Sequence, residues 1–293
     1  MNTKNYVFPT SELLINEDGT IFHLHIRPKQ LADKVILVGD PSRVAMASTF
    51  LTDIECNVSS REFNTVTGYY KGKRISVIST GIGCDNIDIV VNELDALKNI
   101  DFASRREKED TTSLELVRIG TCGGLQPFTP TGTFIVSEYS IGFDGLLNFY
   151  EGRNEACDLA FEEAFTKHMN WNKLLCAPYV IKADTELTRR IAGENMVYGV
   201  TIACGGFYGP QGRRLRVPLA DPQQNEKVES FCYDNHRITN FEMESSALAG
   251  LSALMGHRAT TCCLVVANRY AQNANTDYKK QMPELILNVL ERI

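Results

Sequence analysis

The chain has 293 residues, of which 43% are hydrophobic and 23% are charged, and this balance excludes a disordered or collagen-like protein. Its formal net charge of −6 argues against a broad nucleic-acid-binding surface, which needs many clustered cations. Apolar runs such as 262–267 are too short to cross a bilayer, and nine cysteines without a CxxC pair fit neither a disulfide framework nor a zinc site. The opening residues lack the basic and apolar segments of a signal peptide. We therefore expect a soluble cytoplasmic protein that binds neither nucleic acid nor membrane.

Predicted strands and helices alternate along the chain. A strand at 34–38 precedes Asp40 and Pro41, which can cap and begin a helix. A strand at 75–80 leads through Gly81-Ile82-Gly83 to a helix with apolar residues at helical spacing up to Leu97. A third strand, 116–119, is expected to end in a turn of small residues at 120–124. Further strands are predicted at 133–139, 175–181, 198–204, 238–241 and 260–267, and further helices at 155–169, 243–255 and 277–291.

This alternation is typical of an α/β fold with a mixed, mainly parallel central sheet flanked by helices. Ligands of such sheets usually bind at the carboxyl ends of the strands, which is where the turns of small residues fall. Because no linker divides the sequence, we predict one domain over 1–293, with an N-terminal extension at 1–20. The charged run within 101–113 is interpreted as a surface insertion.

Familiar catalytic motifs are missing from the sequence. It contains no P-loop, no HExxH and no GxSxG, and Asn86 stands where a dinucleotide-binding GxGxxG would have its third glycine. His23 and His25 alternate with apolar residues, so they would share one side of a strand. That geometry suits a metal only if carboxylates join it, and we interpret the pair as a polar strand face.

Three arginines lie near the ends of predicted strands or within them. Arg43 follows Gly39, Arg61 precedes a Glu-Phe pair, and Arg118 lies inside an apolar strand. A guanidinium in a buried strand needs either a carboxylate partner or a bound anion to offset its desolvation. Glu242 or Glu244 could be that partner, so the pattern alone leaves ion pairing and anion binding open.

Eight segments taken together resemble the nucleoside phosphorylase superfamily, specifically its uridine phosphorylase branch. The resemblance runs from about Phe22 to the C-terminus. The segments follow in the family's order: 22-FHL-24, 39-GDPSR-43, 61-REF-63, 79-STGIG-83, 118-RIGTCGGLQP-127, 207-FYGPQGR-213, 241-FEMES-245 and 268-NR-269.

The resemblance implies a role for most of these segments. Phosphate would be bound by Gly39, Arg43, Arg118 and Thr121, with Arg61 supplied by a neighbouring subunit. Ribose would be bound by Glu242, Met243 and Glu244, with His23 approaching the 5′-hydroxyl across a subunit boundary. The base would be bound by Phe207, Gln211 and Arg213, with Gly123 and Arg269 beside them. Arg118, Arg43 and Glu244 are the candidate catalytic residues. An ordinary helix N-terminus is the alternative for the Glu-Met-Glu segment, and an exposed loop for 207–213.

The activity implied is reversible phosphorolysis of uridine, and of deoxyuridine, to uracil and (deoxy)ribose 1-phosphate in pyrimidine salvage. Inorganic phosphate would be a co-substrate, and no cofactor is expected. Purine-specific members carry an aspartate after the late strand, where this chain has Asn268 and Arg269. The alternatives are a purine nucleoside phosphorylase, a nucleosidase and a non-catalytic nucleoside-binding protein.

One segment departs from the family pattern. Members that bind a structural monovalent cation use the acid of the Arg-Glu-Phe segment, here Glu62, and a serine in the turn where this chain has Cys84-Asp85-Asn86. The replacement of that serine by Asn86 argues against a cation here. Because Arg61 and His23 are expected to serve a neighbour's site, a homodimer is the smallest expected unit, and a hexamer of such dimers is left open.

Overall fold

The computed structural model describes residues 6–275 and 277–293. The strands in these ranges are β1 (Lys34–Val38), β2 (Thr52–Ser60), β3 (Phe63–Tyr70), β4 (Lys73–Ser79), β5 (Ile100–Asp101), β6 (Arg106–Glu107), β7 (Glu115–Gly124), β8 (Phe134–Gly142), β9 (Tyr179–Lys182), β10 (Val197–Ala203), β11 (Cys232–Tyr233), β12 (His236–Glu242), β13 (Arg258–Asn268) and β14 (Asn273–Ala274). The α-helices are α1 (Pro41–Ser48), α2 (Cys84–Asn99), α3 (Arg153–Ala156), α4 (Leu159–Met169), α5 (Thr185–Ala192), α6 (Gln224–Ser230), α7 (Ser245–Leu254) and α8 (Met282–Arg292).

One mixed sheet organises the chain, with the strand order β11-β12-β10-β8-β13-β7-β1-β4-β3-β2. Its inner strands pair in parallel from β4 through β1 and β7 to β13, and again from β8 through β10 to β12. The β2–β3 hairpin and the β8–β13 pair are antiparallel. The sheet curls until the end of β12 also pairs with the end of β7. This closure brings the residues that follow β12 close to the carboxyl ends of β1, β4 and β7.

Helices pack on both faces of the sheet. Along α2, apolar residues recur at helical spacing from Ile87 to Leu94 and join a buried cluster that includes α7. Residues of α1, α5 and α8 belong to a second buried cluster. Because successive strand residues point to opposite faces, Leu37 in the first cluster and Ile36 in the second place the two clusters on opposite sides of β1. Each fully buried side chain of this kind contributes about 1.5–3 kcal/mol.

The predicted α/β fold class, a mixed central sheet flanked by helices, is confirmed. The helix expected at 155–169 is two helices, because Asp158 caps α4 by accepting from the Phe161 amide at 3.0 Å. The helix expected at 277–291 begins later, at α8, after a short 3₁₀ turn at Tyr278–Lys280. The β2–β3 hairpin and helices α5 and α6 were not predicted.

The turn predicted at 120–124 is wrong, since β7 continues to Gly124 and pairs there with both β13 and β12. These glycines do not turn the chain. They allow neighbouring groups to pack closely against the strand. A Cβ on Gly120 would lie 2.3 Å from a guanidinium nitrogen of Arg118, and one on Gly124 would lie 2.5 Å from the Thr129 carbonyl oxygen. Gly120 therefore makes room for Arg118 within the sheet, and Gly124 makes room for the backbone at Thr129.

The strand predicted around His23 and His25 is also wrong. Residues 22–24 form a turn, and His25 has a φ of 55°. The Glu93 carboxylate holds this turn by accepting from the amides of His23 and Leu24, both at 2.9 Å. The two histidines therefore do not share a strand face.

The N-terminal residues and the charged segment contact one another. Arg105 donates through Nε to the Phe8 carbonyl oxygen at 2.7 Å, and residues 100–107 contain the β5–β6 hairpin. Residues 1–5 of the predicted N-terminal extension lie outside the described residues. Across the ranges that the structure describes, the helices are too short or too polar to cross a membrane.

Glu115 links three cations at the edge of the sheet where β1 and β7 begin. Its carboxylate contacts Lys34, Arg190 at 2.7 Å and Arg258. Burial alone would raise the pKa of Glu115, but hydrogen bonds from Arg190 and Lys34 lower it from 4.5 to about 2. A lowered carboxyl pKa stabilises the fold above pH 4.5, and the stabilisation is lost as the pH falls towards 2.

Glu115→Gln is therefore expected to lower the free energy of unfolding at pH 7 by about 3 kcal/mol, because the variant leaves three cations without their shared carboxylate. Urea unfolding of the wild type and the variant measures the difference. The difference in unfolding free energy between the two proteins should be smaller at about pH 3, because part of the stabilisation by the wild-type carboxylate is lost there. An equal gap at both pH values would contradict the electrostatic account.

Candidate functional site

A cavity of about 880 Å³ lies at the carboxyl ends of β1, β4, β7 and β12. Most of the predicted site residues line it, namely Gly39, Arg43, Arg118, Thr121, Gly123, Phe207, Gln211, Arg213, Glu242, Met243 and Glu244. These residues come from parts of the chain more than 200 positions apart. The curled sheet brings them together, as expected for an α/β protein that binds its ligand at the strand ends.

The cationic end of the cavity contains Arg43 in the first turn of α1. Asp40 caps this helix by accepting from the Ser42 amide at 2.8 Å. Arg43 is buried, and its guanidinium makes no hydrogen bond or salt bridge with any part of the chain that the structure describes. The Tyr278 ring lies 5.9 Å from it. A buried guanidinium that lacks a carboxylate partner and lines a cavity is suited to bind an anion.

Arg118 enters the same cavity from the middle of β7. Its Nη1 lies 3.4 Å from Glu242 Oε2, and its Nη2 contacts Glu244. Burial would lower the pKa of Arg118, but the two carboxylates raise it, so the side chain stays charged. Its buried Nε has no hydrogen-bond partner among the described residues. The ion pairing left open by the sequence is therefore present, and the same guanidinium also lines the cavity.

The two acids differ in what they contact. Glu242 accepts from the amides of Glu244 at 2.9 Å and Ser245 at 3.0 Å, so it caps the N-terminus of α7. Burial and the neighbouring Glu244 raise the pKa of Glu242 to about 7. Glu244 accepts from the Gly83 amide at 2.8 Å and contacts Arg118. The helix-terminus interpretation thus describes Glu242 well, while Glu244 presents its carboxylate beside Arg118.

A slot with one aromatic wall forms the other end of the cavity. The Arg213 guanidinium lies 3.7 Å from the centre of the Phe207 ring and donates to the Phe207 carbonyl at 2.6 Å. It also donates to Oε1 of Gln211, which is buried. The Gln211 amide nitrogen has one weak contact, 3.5 Å from the Glu242 carbonyl. This slot therefore offers a ring, amide donors and a fixed guanidinium to a planar polar ligand.

Arg269 lies beside this slot and does not line the cavity. A Cβ on Gly123 would lie 3.7 Å from Arg269 Nε and 3.8 Å from Arg213 Nη2, so both guanidinium groups approach that glycine. Burial, followed by repulsion from Arg269, lowers the pKa of Arg213 to about 10. The two adjacent cations favour an electron-rich ligand edge here.

His23 and Arg61, like Arg269, do not line the cavity within this subunit. Arg61 is exposed and lies 5.6 Å from the Phe22 ring, with a φ of 55°. His23 Nδ1 lies 2.7 Å from the Glu93 carboxylate. The role predicted for them, in a neighbouring subunit's site, stays a prediction.

Several lining residues were not predicted as contacts for phosphate, ribose or base. Tyr278 and Asn275 line the cavity. Tyr278 lies in the 3₁₀ turn before α8, at the start of the helix predicted at 277–291, and no motif marks either residue as a ligand contact. Glu62 and Asn86 also line the cavity. A Cβ on Gly81, whose φ is 73°, would lie 2.4 Å from the Asn86 amide nitrogen. Asn86 therefore packs directly against this glycine turn.

Comparison with known proteins agrees with this geometry. The family model of the phosphorylase superfamily matches residues 33–291. The uridine phosphorylase of Thermococcus kodakarensis is 29% identical over 274 residues, which cover 89% of this chain and 82% of that protein. The crystal structure of a Trypanosoma brucei nucleoside phosphorylase that shows uridine phosphorylase activity superposes with a TM-score of 0.86 at 29% identity, covering 96% of this chain and 100% of that one.

Relatives that act on purines are also similar in sequence. A DeoD-type purine nucleoside phosphorylase of Thermoanaerobacter is 41% identical over 106 residues, which cover 36% of this chain and 40% of that protein. The fold and the site thus define a phosphorolytic class of protein. The chain belongs to the phosphorylase superfamily.

Proposed function

We propose that this protein is a uridine phosphorylase, which converts uridine and phosphate reversibly to uracil and ribose 1-phosphate. The observation that carries the proposal is the placement of Arg43 and Arg118 at one end of a cavity whose other end holds Gln211 and Arg213. An anion and a planar heterocycle can then bind at the two ends of one site. Deoxyuridine would react in the same way, in pyrimidine salvage.

Phosphate would bind at the cationic end. Gly39 and Thr121 lie beside Arg43 and Arg118 there, and arginine forks together with backbone and hydroxyl donors match the oxygens of phosphate. Arg43 and Arg118 both line the cavity, so an oxyanion bound there can accept hydrogen bonds from both guanidinium groups.

Uracil would bind in the slot. Gln211 carries both an amide donor and a carbonyl acceptor, which suits the N3–H of uracil and an adjacent carbonyl, while Arg213 can donate to the other carbonyl. Its donation to Gln211 Oε1 also fixes the orientation of that amide. Phe207 would pack against the ring.

Ribose would lie between the two ends, over Met243 and beside Glu244. The Glu244 carboxylate can accept from sugar hydroxyls through its remaining lone pairs, and Met243 offers a partly buried apolar contact. As the glycosidic bond breaks, the sugar gains oxocarbenium character and uracil gains negative charge. Phosphate would stabilise the sugar, and Gln211 with Arg213 the leaving base. A phosphate oxygen bonds to C1′ as the glycosidic bond breaks, and the proton lost by the hydrogen phosphate balances the one gained by uracil.

This mechanism needs inorganic phosphate as co-substrate and no cofactor. Each side chain acts by electrostatic stabilisation and orientation, so no covalent intermediate is required. The presence of Asn86 beside Glu62 at the cavity argues against a monovalent cation in this place. We also propose that the protein acts in the cytoplasm and binds no nucleic acid.

The test is an assay of uracil release from uridine with and without phosphate. We expect release to require phosphate and to saturate with it, and inosine to be a poor substrate, since the slot offers no carboxylic acid for a purine N7. Release without phosphate would identify a nucleosidase, and preference for inosine a purine phosphorylase. Uridine binding without turnover would identify a binding protein. Each of these three results would overturn the proposal.

A second part of the proposal is that the smallest active unit is a homodimer with shared sites. Arg61 is exposed and lies outside its own subunit's cavity, although the adjacent Glu62 lines it. Together with His23, Arg61 would complete the site of the neighbouring subunit.

Mixed dimers test the sharing directly. Arg61→Ala and Arg118→Ala subunits, each weakly active alone, should recover about a quarter of wild-type activity when co-expressed in equal amounts, because each mixed dimer then contains one intact site. Activity is compared with that of the separate variants at equal protein concentration. If Arg61 served its own subunit, the mixture would show no recovery.

A further inference from the structure

We infer that Asp144, which does not line the cavity, is a positioning residue that fixes Glu244 for ribose binding through a buried hydrogen-bond network. The inference rests on the proposed function, because it assigns Glu244 to ribose. Asp144 follows β8 and is partly buried beneath the start of α7. Its role would be to hold the backbone that carries Glu244, without contact with substrate.

The network joins three side chains from separate parts of the chain. The hydroxyls of Tyr179 and Ser246 each donate to the Asp144 carboxylate at 2.9 Å, and their oxygens lie 3.0 Å apart. The Leu146 amide donates to the same carboxylate at 2.8 Å. Tyr179 and Ser246 are fully buried, so a lost partner would leave a polar group without water to replace it.

Gly142 at the end of β8 makes this arrangement possible. A Cβ there would lie 2.3 Å from the Tyr179 ring and 2.8 Å from an Asp144 carboxylate oxygen. Any side chain at this position would displace both groups. The absence of a side chain at Gly142 therefore allows the Tyr179 ring and the Asp144 carboxylate to pack against the end of β8 at the same time.

The segment 243–246 is held by contacts from three other parts of the chain. Asp144 holds the hydroxyl of Ser246, and the Cys84 thiol donates to the Met243 carbonyl at 3.2 Å. Glu242 caps the amides of Glu244 and Ser245. With the backbone of this segment held in this way, the Glu244 carboxylate contacts Gly83 and Arg118 and lines the cavity.

A displacement of about 1 Å in a positioned group can lower a rate about a hundred-fold. Asp144→Ala should therefore lower kcat/KM for uridine about ten- to a hundred-fold, while KM for phosphate changes little. Asp144→Asn retains an acceptor for one hydroxyl and should recover part of the loss. Tyr179→Phe keeps the buried ring, removes one donor and should show a smaller loss of the same kind.

A double-mutant cycle distinguishes positioning from a general effect on folding. In a Glu244→Gln background, Asp144→Ala should cause no further loss beyond about twofold, because the group that it positions is already impaired. In a Gln211→Ala background the two losses should multiply. A full further loss in the Glu244→Gln background would overturn the inference.

Thermal unfolding of each variant shows whether it folds, so that a loss of activity in the cycle is not mistaken for a loss of folded protein. If Asp144→Ala does not fold, the same cycle is run with Tyr179→Phe, and full additivity there would equally overturn the inference. Failure of the proposed function has a different signature, since the wild type would then show no phosphate-dependent release of uracil from uridine. The two failures are thus separable.

Discussion

Arg118→Ala is expected to lower kcat for uridine phosphorolysis by about 10²–10³-fold, the usual effect of removing one group that stabilises charge in the transition state. Arg118 lines the cavity and contacts both Glu242 and Glu244. Its loss removes a predicted phosphate contact and leaves the two acids without their shared cation. Steady-state rates of uracil release, measured with uridine and phosphate each varied, give kcat and both KM values.

The variant should still fold, because Glu242, whose pKa is already raised to about 7, can take up a proton when the cation is removed. A carboxyl pKa raised from 4.5 to about 7 contributes stability that is fully present below pH 4.5 and is lost as the pH rises to about 7, so the variant should lose stability over this range. Arg153→Ala is the matched control, since Arg153 is ion-paired with Glu162 at 2.8 Å and lies outside the cavity. Near-native kcat in Arg118→Ala would make this arginine structural and the phosphate site misplaced.

Glu244→Gln is expected to lower kcat/KM for uridine about 10- to 100-fold, because a hydrogen bond to a charged group contributes about 1.5–3 kcal/mol. The carboxamide also loses the charge that pairs with Arg118. The loss should be smaller for 2′-deoxyuridine, which has one hydroxyl fewer to bind. Parallel measurements with the two nucleosides give both values.

The control for this variant is Glu138→Gln, a partly buried acid on β8 whose recorded ion-pair partners are Lys182 and His236. It should leave both substrates unaffected. Equal losses for uridine and 2′-deoxyuridine in Glu244→Gln would argue that Glu244 supports the fold and not the ribose.

Much of the fold could be predicted because its signals are local. The β1–α1 unit follows from an apolar run, a capping Asp40 and a first-turn Pro41, and α2 follows from helical spacing. The glycines of β7 were misread because a single sequence does not distinguish a turn from a strand that packs closely against a buried arginine. The close approach of the Arg118 guanidinium to Gly120, which explains the glycine, is seen only in the folded structure.

The candidate site was predicted wherever a motif carries its own chemistry. Glycine-containing segments, arginines near strand ends and the Glu-Met-Glu segment all mark residues that line the cavity. Tyr278 and Asp144 could not be found in this way, because the contacts of Tyr278 with Arg43 and of Asp144 with Ser246 join residues distant in sequence and belong to no motif. The different roles of the two acids also could not be predicted from the sequence. Glu242 accepts from the start of α7 and Glu244 accepts from Gly83, and these contacts are visible only in the folded structure.

The most direct test of the account is a crystal structure obtained with phosphate and uracil bound. We expect one phosphate between Arg43 and Arg118, with oxygens about 2.7–3.2 Å from both guanidinium groups. Uracil should lie against Phe207 with its polar edge on Gln211 and Arg213. A structure in which Arg43 and Arg118 point apart with no anion between them, at phosphate concentrations that saturate the assay, would contradict the account.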